Sequence, residues 1–321
     1  MRRLSHSAFV LVAVVVLSGR QPAPHAQTAQ EYQALTFYVG AHQDDWELFH
    51  GNAAMNDIAT SDKRVVFIYA SAGDAGRTDG WWEARERGAV AAVRSAIGAA
   101  PLTMDYVRAN GHPVLRYRTR NSASYFLRLP DGKFREGLGY PSTNNESLSQ
   151  LRDTGKAVTA VDKSTTYQTW SDFRQTLQAI MDTERLLVPG DVHPWVNAPD
   201  YFGADNSHPD CQNAETCNSC DHPDHKAVAD ALRQFVSGTF SRRWWVGYET
   251  RNRPENLNAP DLLLKAKAFL AYSTAVQDET TANGTPAIAD LVEWTSWGGR
   301  DYFRTVSWDQ PDPDTPACTG Q

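Results

Sequence analysis

The sequence is short of several things, and each shortage excludes something. Its 321 residues carry 31 Lys and Arg against 38 Asp and Glu, a formal net charge of −7. A nucleic-acid partner needs a basic face, and this balance argues against one. No internal repeat and no long run of one charge sign is present. Beyond the first 17 residues no stretch approaches the roughly 20 apolar residues of a membrane span. There are only four cysteines, Cys211, Cys217, Cys220 and Cys318. One Cys-x-x-Cys without a second pair is a weak zinc signal. Two disulfides, with three possible pairings, are the leading expectation. A structural zinc site using Cys211, Cys217, Cys220 and His208 or His222 is the alternative.

What is present begins with a segment of leader type. Arg2 and Arg3 precede the apolar run AFVLVAVVVL (8–17), and PAPHAQTAQ then offers small-residue cleavage sites. Residues 1–26 are therefore expected to be a signal peptide, cut near Ala26, which makes the protein secreted, periplasmic or extracellular. An uncleaved anchor is the alternative. Cleavage would remove Arg2, Arg3 and Arg20 and no acid, leaving a more acidic remainder.

Strand and helix patterns then alternate. LTFYVG (35–40) and RVVFIYA (64–70) are short apolar runs of the kind that form buried strands. Residues 46–59 have room for a helix, and 83–97 have an alanine- and valine-rich helical face ending at Gly98. Residues 105–130 suggest strands and turns. The spacing predicts helices over 171–182, 222–236 and 259–276, RLLVPGDVHP (185–194) reads as strand then loop, and RWWVGYE (243–249) reads as a strand. Such alternation predicts an α/β fold: a Rossmann-like, mostly parallel, doubly wound sheet with helices on both faces. In that architecture ligands bind beyond the carboxyl ends of the strands. Residues 34–306 form the expected domain, and 307–321 a Pro- and Asp-rich tail with little to bury.

Two polar clusters fall where a site is expected. AHQDD (41–45) follows the first strand. If a helix begins just after Gly40, His42 and Asp45 share a side of its first turn and could hold a divalent metal, zinc above all. Asp44, rotated away from Asp45, would sit beside such a metal and could take a proton from water. Ordinary helix capping is the alternative. DHPDH (221–225) repeats the i, i+3 spacing with His222 and His225, Pro223 suiting a first helical position. One of these histidines could complete a His-Asp-His set. The other, as imidazolium, could stabilise an oxyanion or protonate a leaving amine.

The paired motifs AHQDD and HPDH resemble those of the PIG-L (LmbE-like) zinc-dependent deacetylases, whose first motif reads A-H-P-D-D-E and which act on N-acetylglucosamine units. SAGDAG (71–76), KAKAFLAYST (265–274) and GGRDYF (298–303) are looser similarities. The resemblance implies an LmbE-like fold, one Zn2+ per chain, and His42, Asp45 and His225 as its ligands. It further implies Asp44 as general base and His222 as oxyanion-stabilising acid, with Asp224 able to orient or charge it. Gln43 stands where the family has proline and Trp46 where it has glutamate, the acid appearing at Glu47. Gln43 could hydrogen-bond a substrate; Trp46 could stack on a sugar or belong to the core. Arg85 or Arg87 could contact substrate or be a surface charge; Asp191 and His193 could line the cleft, although His193 reads more readily as a hydrogen-bonded loop histidine. His50 reads as helix surface.

The expected activity is removal of acetyl from an N-acetylated sugar, glycolipid or glycan. A metal-dependent amidase or esterase on a non-sugar N-acyl compound is the second reading, and an inactive carbohydrate-binding relative the third. A zinc-ribbon-like interaction protein is the fourth.

Overall fold

The computed structural model describes residues 32–134, 137–201, 221–282 and 289–313. The leader segment 1–26, His208 and all four cysteines lie outside those residues, as do the disulfide and zinc-ribbon readings built on them. In chain order the strands are β1 (Ala34–Gly40), β2 (Lys63–Ser71), β3 (Thr103–Ala109), β4 (His112–Thr119), β5 (Ser122–Leu129), β6 (Val158–Thr159), β7 (Thr166–Tyr167), β8 (Trp195–Pro199), β9 (Ser241–Trp245) and β10 (Phe303–Val306). The helices are α1 (Asp45–Phe49), α2 (Gly51–Ala59), α3 (Trp81–Ile97), α4 (Leu148–Thr154), α5 (Trp170–Arg185), α6 (Pro223–Val236), α7 (Ala259–Ala282) and α8 (Ala289–Trp297).

Eight strands form one sheet in the order β10-β9-β8-β1-β2-β5-β4-β3. The stretch from β9 to β5 is parallel. The margins are antiparallel. The chain winds outward from β1 through β2 on one side and through β8 on the other, so a crevice opens where β1 and β8 end. Among the described residues no helix is long and apolar enough to cross a membrane.

The continuous apolar runs of β1 and β2 follow from burial on both faces. Alternate residues point opposite ways along a strand. Leu35, Phe37, Val39, Val66 and Ile68 enter one core, closed by Phe173, Leu177 and Ile180 of α5 and by Val228 and Leu232 of α6. Tyr38, Val65, Phe67 and Tyr69 enter the other, closed by Phe49, Met55, Ala89, Phe269 and Tyr272. Helices α3 and α7 come together over Gly88, where a Cβ would lie 2.7 Å from both Tyr272 and Val276 side-chain carbons. Glycine lets the two helices close to a distance that alanine would prevent.

Four local expectations need correction. Helix 46–59 is two helices, broken at His50 (φ −149°, ψ 31°). His50 is not surface but buried, its Nδ1 2.9 Å from Asp301 Oδ1. Residues 185–194 hold no strand: the apolar letters 186–188 follow α5 in a turn, and β8 begins at Trp195. The start of the tail does have something to bind, because buried Arg242 and Trp244 need an acceptor. Asp312 Oδ1 accepts from Arg242 Nε at 3.1 Å and from Trp244 Nε1 at 3.0 Å.

The sheet is tied to α5 by a buried ion pair. Arg64 of β2 donates to both oxygens of Glu184 at 2.7 and 2.9 Å, and Tyr125 of β5 donates to the same carboxylate at 2.5 Å. Glu184→Ala would strand the Arg64 charge inside. It is expected to cost about 3–5 kcal/mol, read as a lower urea midpoint; a loss under about 1 kcal/mol would contradict this account.

Candidate metal centre

The loops after β1, β2, β5 and β8 bring His42, Asp74, Asp131, and His222 with His225 to one end of the sheet. The turn after β1 does not begin a helix at Gly40, as the sequence suggested; α1 begins at Asp45. His42 and Asp45 meet all the same, because Asp45 Oδ2 accepts the backbone N–H groups of Ala41 and His42 at 2.7 and 3.0 Å. That pair of bonds folds the turn tightly and leaves Asp45 Oδ1 facing inward. Capping does not account for Asp44, whose side chain caps no backbone N–H among the described residues.

His42 Nδ1, His225 Nε2 and Asp45 Oδ1 face one another. Their separations are 3.2 Å (His42 to His225), 3.1 Å (His225 to Asp45) and 3.4 Å (His42 to Asp45). The outer nitrogen of each ring is engaged by a carboxylate: His42 Nε2 lies 3.0 Å from Asp131 Oδ1, and His225 Nδ1 lies 2.7 Å from Asp221 Oδ1. Both outer nitrogens therefore carry the proton, and both inner nitrogens present lone pairs toward Asp45 Oδ1. Three lone pairs at such distances repel unless a cation or extra protons lie among them. Tetrahedral ligands at zinc distances of about 2.05 Å are separated by about 3.3 Å, so the three atoms fit that ion. A carboxylate behind each imidazole is what a metal-bound histidine ordinarily has.

The electrostatics agree. Burial alone would lower the proton affinity of both imidazoles, but Asp131 and Asp45 hold His42 well above the ordinary histidine range. Asp45 and Asp221 likewise raise His225 to about 10 against the effect of burial. Asp45 stays well below the ordinary carboxylate range despite burial, because His225 and His42 lie beside it. The negative field that favours a proton at this point favours any cation there.

His222 has a different part. It is the N-cap residue of α6, and its Nδ1 accepts the Asp224 N–H at 3.2 Å. Nδ1 is thus an acceptor and Nε2 carries the hydrogen, 3.7 Å from Asp131 Oδ1. Burial and the neighbouring His42 push its pKa down to about 3. It is a neutral donor, not the imidazolium expected from the sequence. Asp224 does not orient it with its carboxylate, which lies 4.0 Å from Nδ1. Instead Asp224 accepts from Gly132 N at 2.8 Å and Ser149 N at 2.9 Å, bracing the loop that carries Asp131. Burial and Asp131 raise the Asp224 carboxyl to about 7.

Other expectations are redistributed. Asp44 pairs with Arg85. Arg87, two residues on along α3, is exposed. Gln43 is fully buried and bonded within the protein, so it does not reach substrate directly. Trp46 is core: its Nε1 donates to Tyr69 Oη at 2.9 Å and its ring lies 4.8 Å from Phe67. Asp191 is exposed in the turn before β8, at the amino end of the parallel sheet and so at the far end from the centre. His193, close by, stacks on Trp308 at 3.9 Å. Asp191 was misplaced because β8 starts later in the chain than the apolar letters suggested, and His193 is the loop histidine that its sequence context favoured.

The structure adds residues that the sequence did not single out. Asp131 follows β5 in LPDGK and has no spacing signal of its own; Asp221 opens the DHPDH cluster, four residues before His225. Phe134 and Tyr248 form an aromatic wall 5.2 Å apart, with Phe134 6.0 Å from His222.

No protein-family model and no curated protein matches the chain. Solved structures do. Deacetylases are among the structural neighbours. One is a deacetylase of teicoplanin biosynthesis, with 14% identity and a TM-score of 0.42, covering 85% of this chain and 96% of its own. Another is the N,N'-diacetylchitobiose deacetylase of Pyrococcus horikoshii, with 13% identity and a TM-score of 0.42, covering 85% and 84%. A conserved protein of Thermus thermophilus has 17% identity and a TM-score of 0.38, covering 87% and 96%.

Asp221→Asn weakens the acceptor behind His225 without touching an inner atom. It is expected to lower metal affinity about 10–100-fold, measured by competition with a chromophoric chelator; affinity within twofold of the parent would contradict the arrangement. His42→Ala is expected to lose the metal, and a fully loaded variant would remove His42 from the centre.

Proposed function

We propose that the protein is an exported, zinc-dependent hydrolase that removes the acetyl group from an N-acetylated amino sugar of the N-acetylglucosamine type, or from a conjugate carrying one. One observation carries this reading. A three-ligand His-Asp-His set has a hydrogen donor beside it, His222, whose ring lies 4.6 Å from that of His42, and a further carboxylate, Asp44, next in the chain to the ligand Asp45. The composition of the N-terminal segment supports export.

The metal would be held by His42, Asp45 and His225. Bound there, it would supply Lewis-acid polarisation of the acetamide carbonyl and make water easier to deprotonate. Asp44 accepts the proton of the attacking water as its oxygen adds to the acetyl carbon. His222 donates from Nε2 to the carbonyl oxygen as negative charge develops there, its tautomer set by the Asp224 N–H. The C–N bond then breaks, and protonated Asp44 returns the proton to the departing amine. Acetate and a free amine are the products. Asp131 and Asp221 keep the two ligand imidazoles in the correct tautomer. Phe134 and Tyr248 offer faces on which the apolar side of a sugar ring can stack.

The same aromatic wall suits the acyl portion of a non-sugar amide or ester, which keeps the second reading in view. A panel of N-acetyl sugars and N-acyl amines, assayed for acetate with and without chelator, separates the two. Chelator-sensitive acetate release from the sugars alone supports the deacetylase. Chelator-indifferent sugar binding without acetate would point to a binding protein instead. Asp44→Asn should reduce turnover about 10²–10⁴-fold while metal content by elemental analysis stays at one per chain; near-normal turnover or lost metal would sink the assignment of Asp44 as base.

A further inference from the structure

We propose that Gln43 is a positioning residue for Asp44 and acts on it through Arg85; the inference rests on the reading of Asp44 as the base. Gln43 lies in the turn between β1 and α1 and is 0% exposed. Its Nε2 donates to the backbone carbonyl of Ser71 at 3.0 Å, and its Oε1 accepts from Arg85 Nε at 3.2 Å. The other arm of the same guanidinium, Nη2, donates to Asp44 Oδ1. A continuous path thus runs from the end of β2, through Gln43 and Arg85, to Asp44.

The chemistry of this path requires an amide at its centre. The Ser71 carbonyl only accepts and a guanidinium only donates. A side chain between them must donate at one end and accept at the other. Glutamine does both; an ionised glutamate could not donate to Ser71, and an apolar residue could do neither. The arrangement also fixes which way round the amide lies.

Gly73 closes the path from above. It sits in the loop after β2 with φ +57°, and a Cβ there would lie 2.7 Å from Gln43 Oε1 and 2.9 Å from Arg85 Nε. Its backbone N–H donates to Ser71 Oγ at 3.1 Å, anchoring the loop to the strand end that Gln43 uses. From α3, Trp81 places its ring 5.9 Å from the Arg85 guanidinium. Arg85 is therefore fixed on several sides, and through Oδ1 it sets the direction of the Asp44 carboxylate. An arginine free to swing would let Asp44 turn with it, and misplacement of a reacting group by about 1 Å can cost on the order of 10²-fold in rate.

The test combines kinetics with a measurement that needs no substrate. Gln43→Met removes both hydrogen bonds at nearly constant volume, and Gly73→Ala crowds the path without changing a member of it. With zinc fully loaded, both are expected to lower kcat for acetate release about 10–100-fold, with KM within twofold of the parent. Adding Gln43→Met to Arg85→Met should lower kcat no further. In 15N spectra of the zinc-loaded protein, the Arg85 Nε–H should be protected from exchange and should exchange at least tenfold faster in Gln43→Met. Unchanged kcat, a rise in KM alone, an equal loss in the Arg85→Met background, or unchanged exchange would each overturn the proposal. If no N-acetylated compound on the panel yields acetate, the functional reading fails separately. In that event faster Arg85 exchange in Gln43→Met still supports the clamp and unchanged exchange overturns it.

Discussion

Two imidazole nitrogens and a carboxylate oxygen, none more than 3.4 Å from the next, turn their lone pairs toward a common point. The nearest polar groups serve that constraint. Asp131 and Asp221 hold the outer ring nitrogens in their protonated form. Two backbone N–H groups hold the far oxygen of Asp45. With its other hydrogen bonds satisfied, the inner face has only acceptors to offer, and a positive ion is the simplest way to neutralise it. Buried unpaired carboxylates cost several kcal/mol. The arrangement is thus stable with an ion or with extra protons, and the two compete.

The parallel sheet makes this possible by bringing distant segments to one place. The turn after β1, the loops after β2 and β5, and the start of α6 all lie at the carboxyl ends of neighbouring strands. Each supplies a few short polar side chains on a rigid base. Loops at this end are tied to one another rather than to solvent: Asp74 accepts the Asp131 N–H at 2.8 Å, and Asp224 accepts from Gly132 and Ser149. Such ties allow a site built largely on loops to hold its geometry.

Much of this was legible in the sequence. The apolar runs of β1 and β2, the helical spacing of α3, α5, α6 and α7, and the alternation between them follow from local periodicity, which survives folding because it is what the two cores select. His42 and Asp45 were legible as metal-ligand candidates from their spacing after a buried strand, while the choice of His225 over His222 came only from the resemblance to the deacetylase motifs. Asp131 and Asp221 were not. Asp131 matters through the His42 nitrogen it faces across the crevice and Asp221 through the His225 nitrogen one turn further on, and an aspartate in a turn looks the same wherever it points. Asp191 was misjudged for a related reason. A shift of one strand along the chain moves a residue to the opposite end of a parallel sheet, and apolar letters in a turn resemble a short strand.

The sequence by itself determined that this chain is an acidic α/β protein with two histidine- and aspartate-bearing motifs placed to hold a metal. Only the tertiary structure decided how the histidines divide their work. His42 and His225 are backed by carboxylates and turn inward. His222, bonded through Nδ1 to the backbone of its own helix, is left as a neutral donor. It also decided that Gln43 and Trp46 face the protein rather than a ligand. The direction of His42 and Gln43 and the meeting of His42 with His225 depend on partners 28 to 183 residues away, and one-dimensional spacing carries no information about which distant residues those are.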